Sequence, residues 1–192
     1  MALSSSLIFA IFSATLSSFL FGYNIGVINA PRVVVAQWIR KVRCERNGGT
    51  PNVDNSSDIW CRHYEPERAS NIMFNENDEL NTIWSLISAI FCAGALCSAV
   101  FLSFFVTRFG RRGTLLLNNT TSITGSICMI MSLYVSSYEL LIVGRFIIGL
   151  NCGLNSAVPP MYLTEISPAR IRGAVGTVHS LGNVLALFIS QV

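Results

Sequence analysis

The side chains best suited to chemistry are charged groups beside long apolar runs. Arg108, Arg111 and Arg112 crowd the stretch TRFGRRG at 107–113, and Glu165, Arg170 and Arg172 follow the pair Pro159-Pro160. Arg145 lies inside an apolar run. There an ionised side chain needs a partner or a wet cavity, unless it snorkels to the interface. Asn24 is an amide and cannot titrate. No Asp or Glu falls within any of the apolar runs, and His179 is the one nearby titratable group. These runs hold no nucleophile–base pair, metal cluster or phosphate loop, so nothing points to an enzyme, a cofactor or a bound metal. Cys92, Cys97, Cys128 and Cys152 lie in the apolar runs and read as packing residues. The chemistry on offer is charge pairing and hydrogen bonding in apolar surroundings.

The elements that must position these groups are membrane helices. Hydrophobic residues make up 52% of the 192 and charged residues 12%, where a soluble domain has about a quarter charged. Apolar runs fall at about 7–29, 82–106, 114–134, 140–158 and 174–192, and about 20 residues at 1.5 Å each cross a bilayer. The fold class expected is all-α integral membrane. A secretory signal peptide is the rival reading of the first run, but a basic n-region is missing and the run is too long. The net charge of +3 says little about nucleic acid, and no nucleic-acid partner is expected.

Small and polar residues indicate how the spans pack. Gly22 with Gly26, and Gly149 with Gly153, have the four-residue spacing that lets helix backbones approach closely. Ser85, Ser88, Cys92, Ala95, Ala99 and Ser103 form a small-residue stripe on the second span, expected to face other helices. Asn118, Ser122 and Ser126 align on the third. That face should meet other helices or a water-filled cavity, because polar groups in hydrocarbon are costly unless paired.

Residues 32–80 read as an outer loop. Its first part, RVVVAQWIRKVR, places Val34, Val35, Trp38, Ile39 and Val42 near one face, as a helix continuing out along the interface. Asn55-Ser56-Ser57 is a glycosylation acceptor if the loop faces outside. Cys44 and Cys61 share the loop, and an oxidising compartment would permit a disulfide. The short segments 107–113 and 159–173 hold five arginines and one glutamate, so both are placed in the cytoplasm together with the amino terminus. Arg32, Arg40, Lys41, Arg43 and Arg46 resist that assignment, since they flank the first span on its outer side. Within 159–173, Ser167-Pro168 reads as a helix start, with a short surface helix carrying Arg170 and Arg172.

Five motifs in order carry a family resemblance: FGYNIGVINAP at 21–31, RFGRR at 108–112, GRFIIGLNCG at 144–153, PMYLTEISP at 160–168 and RGAVGTVHSL at 172–181. The chain resembles the amino-terminal portion of a sugar porter of the major facilitator superfamily, most of all the animal facilitative glucose transporters. The resemblance covers essentially the whole chain. It implies five helices of an amino-terminal six-helix bundle, with two bundles rocking about a sugar site near the membrane centre. It implies that Arg111, Arg112, Glu165 and Arg172 join a cytoplasmic ion-pair gate, with Arg108, Gly110, Gly144, Arg145 and Gly173 completing the family motifs. It further implies hexose transport, such as of glucose, in the plasma membrane, with a sugar and membrane lipid as partners. Proton-driven relatives carry an aspartate where this chain has Asn24, so uniport is expected.

Phe21 and Asn24 match sugar-lining positions of the family. On the fifth helix the family has a glutamine where this chain has Ser180, and an aliphatic residue where it has Asn183. A polar group shifted by about one turn would still share the helix face. Thr107 replaces the Asp or Asn that opens the family's loop motif, and is expected to cap a neighbouring helix somewhat less well. Twelve spans make a complete porter, and five are present here. The chain is therefore expected to be a fragment or truncated form acting with a missing carboxy-terminal half. The alternative is a short non-transporting membrane protein that binds an intact porter.

Overall fold

The computed structural model describes residues 5–49, 60–61 and 78–191, and Asn55 lies outside them. Among the described residues there are five α-helices and no strand. They are α1 (Ser5–Gly26), α2 (Arg32–Arg46), α3 (Asp78–Val135), α4 (Tyr138–Ile166) and α5 (Arg172–Ile189). By length and composition α1, α3 and α4 are each able to cross a membrane.

The first helix stops at Gly26, and α2 is a separate element. A turn over 27–31 intervenes, held by the Asn29 amide donating to the Gly26 carbonyl at 3.0 Å. Pro31 then precedes the new helix, so the expected continuous helix is broken. The buried face of α2 is also shifted. Val34 is 67% exposed, whereas Ala36, Ile39 and Val42 are buried. Ala36 and Ile39 pack with Leu80, Ile83 and Ile87 of α3 and Leu141 of α4. Part of the expected outer loop is thus a helix docked on the bundle, and Cys44 and Cys61 close a disulfide beside it with Cα atoms 5.2 Å apart. The basic residues that resisted the charge rule are engaged here. Arg46 pairs with Glu139, Arg43 lies 3.8 Å from Glu79 and 5.1 Å from the Trp60 ring, and Lys41 lies 3.9 Å from Glu45.

The expected loop at 107–113 is a single residue. Helix α3 runs for 58 residues and breaks only at Gly110, at φ 68 and ψ 171. That region is open essentially to glycine alone. It divides α3 into two arms, 78–109 and 111–135. At 1.5 Å per residue the arms are about 48 and 37 Å long, each enough for a bilayer core of about 30 Å.

Helix α4 runs through Pro159 and Pro160 to Ile166. A proline normally interrupts a helix by removing a donor. In apolar surroundings the backbone has no water to turn to, and neighbouring helices hold the segment in place. Val158 and Pro159 are fully buried. The expected loop 159–173 therefore shrinks to 167–171. Ser167 caps the carboxyl end of α4, its amide donating to the Leu163 carbonyl at 3.1 Å, instead of starting a helix. The expected short surface helix is a turn, and α5 begins directly at Arg172.

Close helix contacts set the packing. A Cβ on Gly94 would lie 2.4 Å from the Phe146 carbonyl oxygen, and one on Gly149 would lie 2.3 Å from that of Phe91. The buried line of the first α3 arm is accordingly Ile83, Ile87, Gly94 and Ser98. Ser85, Ser88, Cys92, Ala99 and Ser103 do not pack on the other described helices. Small size alone does not tell which face meets α4, because only a residue without a Cβ admits backbones this close.

Candidate functional site

The charged end of the bundle is built by the break at Gly110. Thr114, fully buried, directs its hydroxyl to the Gly110 carbonyl at 2.8 Å and the Phe105 carbonyl at 3.1 Å, so one side chain spans the elbow. Thr107 does not cap a neighbouring helix. Its hydroxyl donates back to Ser103 of its own helix at 2.8 Å. The elbow sets Arg111 in the first turn of the second arm, opposite Glu165 in the last turn of α4. The Arg111 Nε donates to Glu165 Oε1 at 3.0 Å, and an Nη of the same arginine donates to the same oxygen. The two side chains are 41% and 44% exposed, so the pair is wet and readily broken. Among the described residues Arg108, Arg112 and Arg172 form no ion pair, and all three are exposed. Gly173 is exposed with open space around it. Gly144 packs against Met129 and Gly125 of the second α3 arm.

Arg145 is 5% exposed, with no hydrogen-bond partner at Nε among the described residues. Its guanidinium therefore does not snorkel to open water.

The polar stripe on the second α3 arm is only partly buried: Asn118 is 1% exposed, while Ser126 is exposed. Asn118 meets two asparagines of α4. Its amide donates to Asn155 Oδ1 at 2.7 Å, Asn155 donates to Asn151 Oδ1 at 3.0 Å, and Asn151 donates back to the Asn118 carbonyl at 2.7 Å. The ring is closed and buried. Asn151 and Asn155 escaped the sequence reading, although two asparagines four apart in an apolar run are the signal for such a face.

The candidate sugar residues lie on α1 and α5, which touch closely. A Cβ on Gly22 would fall 2.1 Å from the Asn183 carbonyl oxygen and 2.5 Å from its Oδ1. Asn183 is thus half-buried against the turn of α1 that carries Phe21 and Asn24. The Asn24 amide donates to its own helix at Leu20, 2.8 Å away. Ser180 stands apart, in a groove of about 420 Å³ lined by other α5 side chains such as Thr177 and Val184. Its hydroxyl makes a long bond, 3.4 Å, to the Gly176 carbonyl. A further link was not foreseen: His179 Nδ1 meets Ser18 Oγ across the two helices. Ser18 donates its own proton to the Ala14 carbonyl at 3.0 Å, so His179 is the donor between them.

Comparisons with known proteins follow the same lines. The family model described as "Sugar (and other) transporter" matches residues 10–192. Human solute carrier family 2, facilitated glucose transporter member 14, is 38% identical over 192 residues, which is 100% of this chain and 32% of that protein. Member 3 from Pongo abelii is 38% identical over 97% of this chain and 33% of its own length, and member 3 from Ovis aries 39% identical over the same shares. The chain thus spans about a third of the length of the relatives it matches. In fold it is similar to a proton:xylose symporter of the major facilitator superfamily, solved with 6-bromo-6-deoxy-D-glucose. The TM-score is 0.69 at 22% identity, over 97% of this chain and 36% of that one. An inward-open xylose transporter from E. coli gives 0.62 at 20% identity, over 95% and 38%.

Proposed function

The chain belongs to the sugar (and other) transporter family, and on that premise we propose that it supplies the first five membrane helices of a facilitative hexose carrier working by alternating access. The spans are α1, the two arms of α3, α4 and α5. The amino terminus, the Gly110 elbow and the 167–171 turn lie in the cytoplasm, and α2 lies outside, in the plasma membrane. A mass shift on deglycosylation, lost in Asn55→Gln, tests that orientation.

One observation carries the uniport reading. Residue 24 is an amide whose Nδ2 is held by Leu20, and no carboxylate lies between residues 80 and 138 or between 140 and 164. Coupling to protons requires a group in the path that changes charge near neutral pH. His179 is the remaining titratable group there, and it is occupied with Ser18. The sugar side of the path runs over Phe21, Asn24 and Asn183, with Ser180 at its edge. Asn183 brings an amide to α1 at the point where Gly22 allows contact.

Alternating access needs contacts that form in one state and break in the other, and such contacts bias the equilibrium by their difference in free energy. The Arg111–Glu165 pair has that character, being a half-exposed link between two helix ends. Arg108, Arg112 and Arg172 stand at the same end and extend the latch when opposing carboxylates arrive. The test is hexose counterflow in proteoliposomes, using the reading frame that contains this chain, with and without a protonophore. Equal rates support uniport. Concentrative uptake abolished by the protonophore would sink it.

A further inference from the structure

Helices α1 and α5 meet in one register along their shared length. Ala14 shares a buried cluster with Val175, and Ser18 meets His179. A Cβ on Gly22 would meet Asn183, and one on Gly26 would lie 3.1 Å from the Leu187 side chain. Each partner stands 161 residues beyond its mate, so the two helices are parallel and meet at every fourth residue. On α1 these positions are small: Ala14, Ser18, Gly22 and Gly26. Such a seam lets helices approach closely, but it repeats at every turn. Small size alone distinguishes poorly between this register and one displaced along α1 by a turn.

A hydrogen bond at one position removes that degeneracy. Ser18 is fully buried, its own proton goes to the Ala14 carbonyl at 3.0 Å, and its oxygen accepts from His179 Nδ1. Among the described residues this is the one side-chain hydrogen bond that joins α1 to α5. In a membrane segment a donor that loses its partner finds little water to replace it. A single polar contact in an apolar seam is a general means of fixing register. Displacing α5 by a turn would set the imidazole against Ala14 or Gly22, and neither offers a side-chain acceptor. We propose that His179 and Ser18 are positioning residues for the sugar path. Their bond fixes α5 on α1 so that Asn183, one turn along, meets Gly22 beside Phe21 and Asn24. The inference rests on the reading of Phe21, Asn24 and Asn183 as lining that path, and neither His179 nor Ser18 needs to touch the sugar.

The test is hexose counterflow in proteoliposomes, using the reading frame that contains this chain. Asparagine places an amide nitrogen where the imidazole has Nδ1, glutamine places it one bond further out, and leucine has no donor. Loss of the bond in His179→Leu should raise KM about 5-fold, with a smaller change in maximal rate. His179→Asn should recover most of the parent KM, and His179→Gln should not. Adding Ser18→Ala to His179→Leu should raise KM no further. An unchanged KM in His179→Leu, or recovery in His179→Gln equal to that in His179→Asn, overturns the proposal. A second measurement needs no sugar. Ala14→Cys with Val175→Cys, oxidised by copper phenanthroline, should form a disulfide that mass spectrometry identifies as the linked peptide. Its yield should fall about 5-fold when His179→Leu is added and return with His179→Asn. No link without the change at 179, or the same yield in His179→Leu, overturns the register lock. Counterflow absent from the parent would instead count against the carrier reading, with the crosslink still deciding the lock.

Discussion

Arg46 grips Glu139 with both arms of its guanidinium, at 2.6 and 2.9 Å, across 93 residues of sequence. The Ser137 hydroxyl donates to the same carboxylate at 2.7 Å. The link ties the last turn of α2 to the start of α4. Helix α4 is 29 residues, about 43 Å, so its ends project beyond a core of about 30 Å and Glu139 stands outside it.

The hydrogen bond from Arg46 holds the Glu139 carboxyl at about 2, against an ordinary 4.5. A lowered pKa contributes stability that is complete above 4.5 and is lost as pH falls through about 2. The stability gap between the parent and Glu139→Gln should therefore be constant from neutral pH down to 4.5 and close on the way to 2. Thermal unfolding of both proteins in detergent across that range checks this. A gap that closes above pH 5 would contradict it.

Two glycines should resist alanine for different reasons. At Gly22 the obstacle is space, since a Cβ there overlaps the Asn183 carbonyl. Gly22→Ala should push α1 from α5, costing about 1–3 kcal/mol. At Gly110 the surroundings are open and the obstacle is conformation, with φ at 68. Gly110→Ala should cost about 1–3 kcal/mol of backbone strain. Asn183→Gly removes the side-chain oxygen but leaves its backbone carbonyl in place, so it should not relieve Gly22→Ala, nor should it change Gly110→Ala in unfolding titrations.

The asparagine ring should behave as one unit. Asn118→Leu removes the donor to Asn155 Oδ1, and an unmatched buried acceptor costs about 1–3 kcal/mol. Asn155→Leu breaks the same bond and a second one to Asn151. The double change should therefore cost less than the two single changes added together. Unfolding of all three variants measures the coupling, and strict additivity would show that the ring is not cooperative.

The Arg111–Glu165 pair is half-exposed, so either single alanine change should weaken the latch by no more than about 1 kcal/mol. That is about a 5-fold shift in a two-state equilibrium. Exchanging the residues, Arg111→Glu with Glu165→Arg, should restore most of it. The readout is the fraction of transporter whose sugar path reacts with an impermeant reagent from outside. A charge exchange no better than the single changes would show that the pair does not gate.

The apolar runs were legible because about 20 uncharged residues leave the chain little choice, and the motif glycines because spacing reveals them. What escaped depended on neighbours. Pro159 and Pro160 read as a break, but their local cost is overruled by the packing that buries Val158 and Pro159. The stripe from Ser85 to Ser103 was as regular as the line that packs on α4, and the 2.4 Å approach at Gly94 marks the face that meets α4. Among the candidate site residues, Arg111 and Glu165 meet and Asn183 reaches α1. Ser180 and Asn183 share a helix but turn to different surroundings, a distinction of azimuth that residue type does not carry.

The elbow at Gly110 also bears on how the chain is made. Two long apolar arms joined by one residue leave no slack for them to cross a membrane separately. They are suited to enter the bilayer as a hairpin, tip last. Arg108, Arg111 and Arg112 at the tip would then remain on the side of synthesis, and no arginine of the elbow need ever be carried through lipid. A residue at 110 unable to turn the chain back would threaten that insertion step before any folded contact existed to be lost.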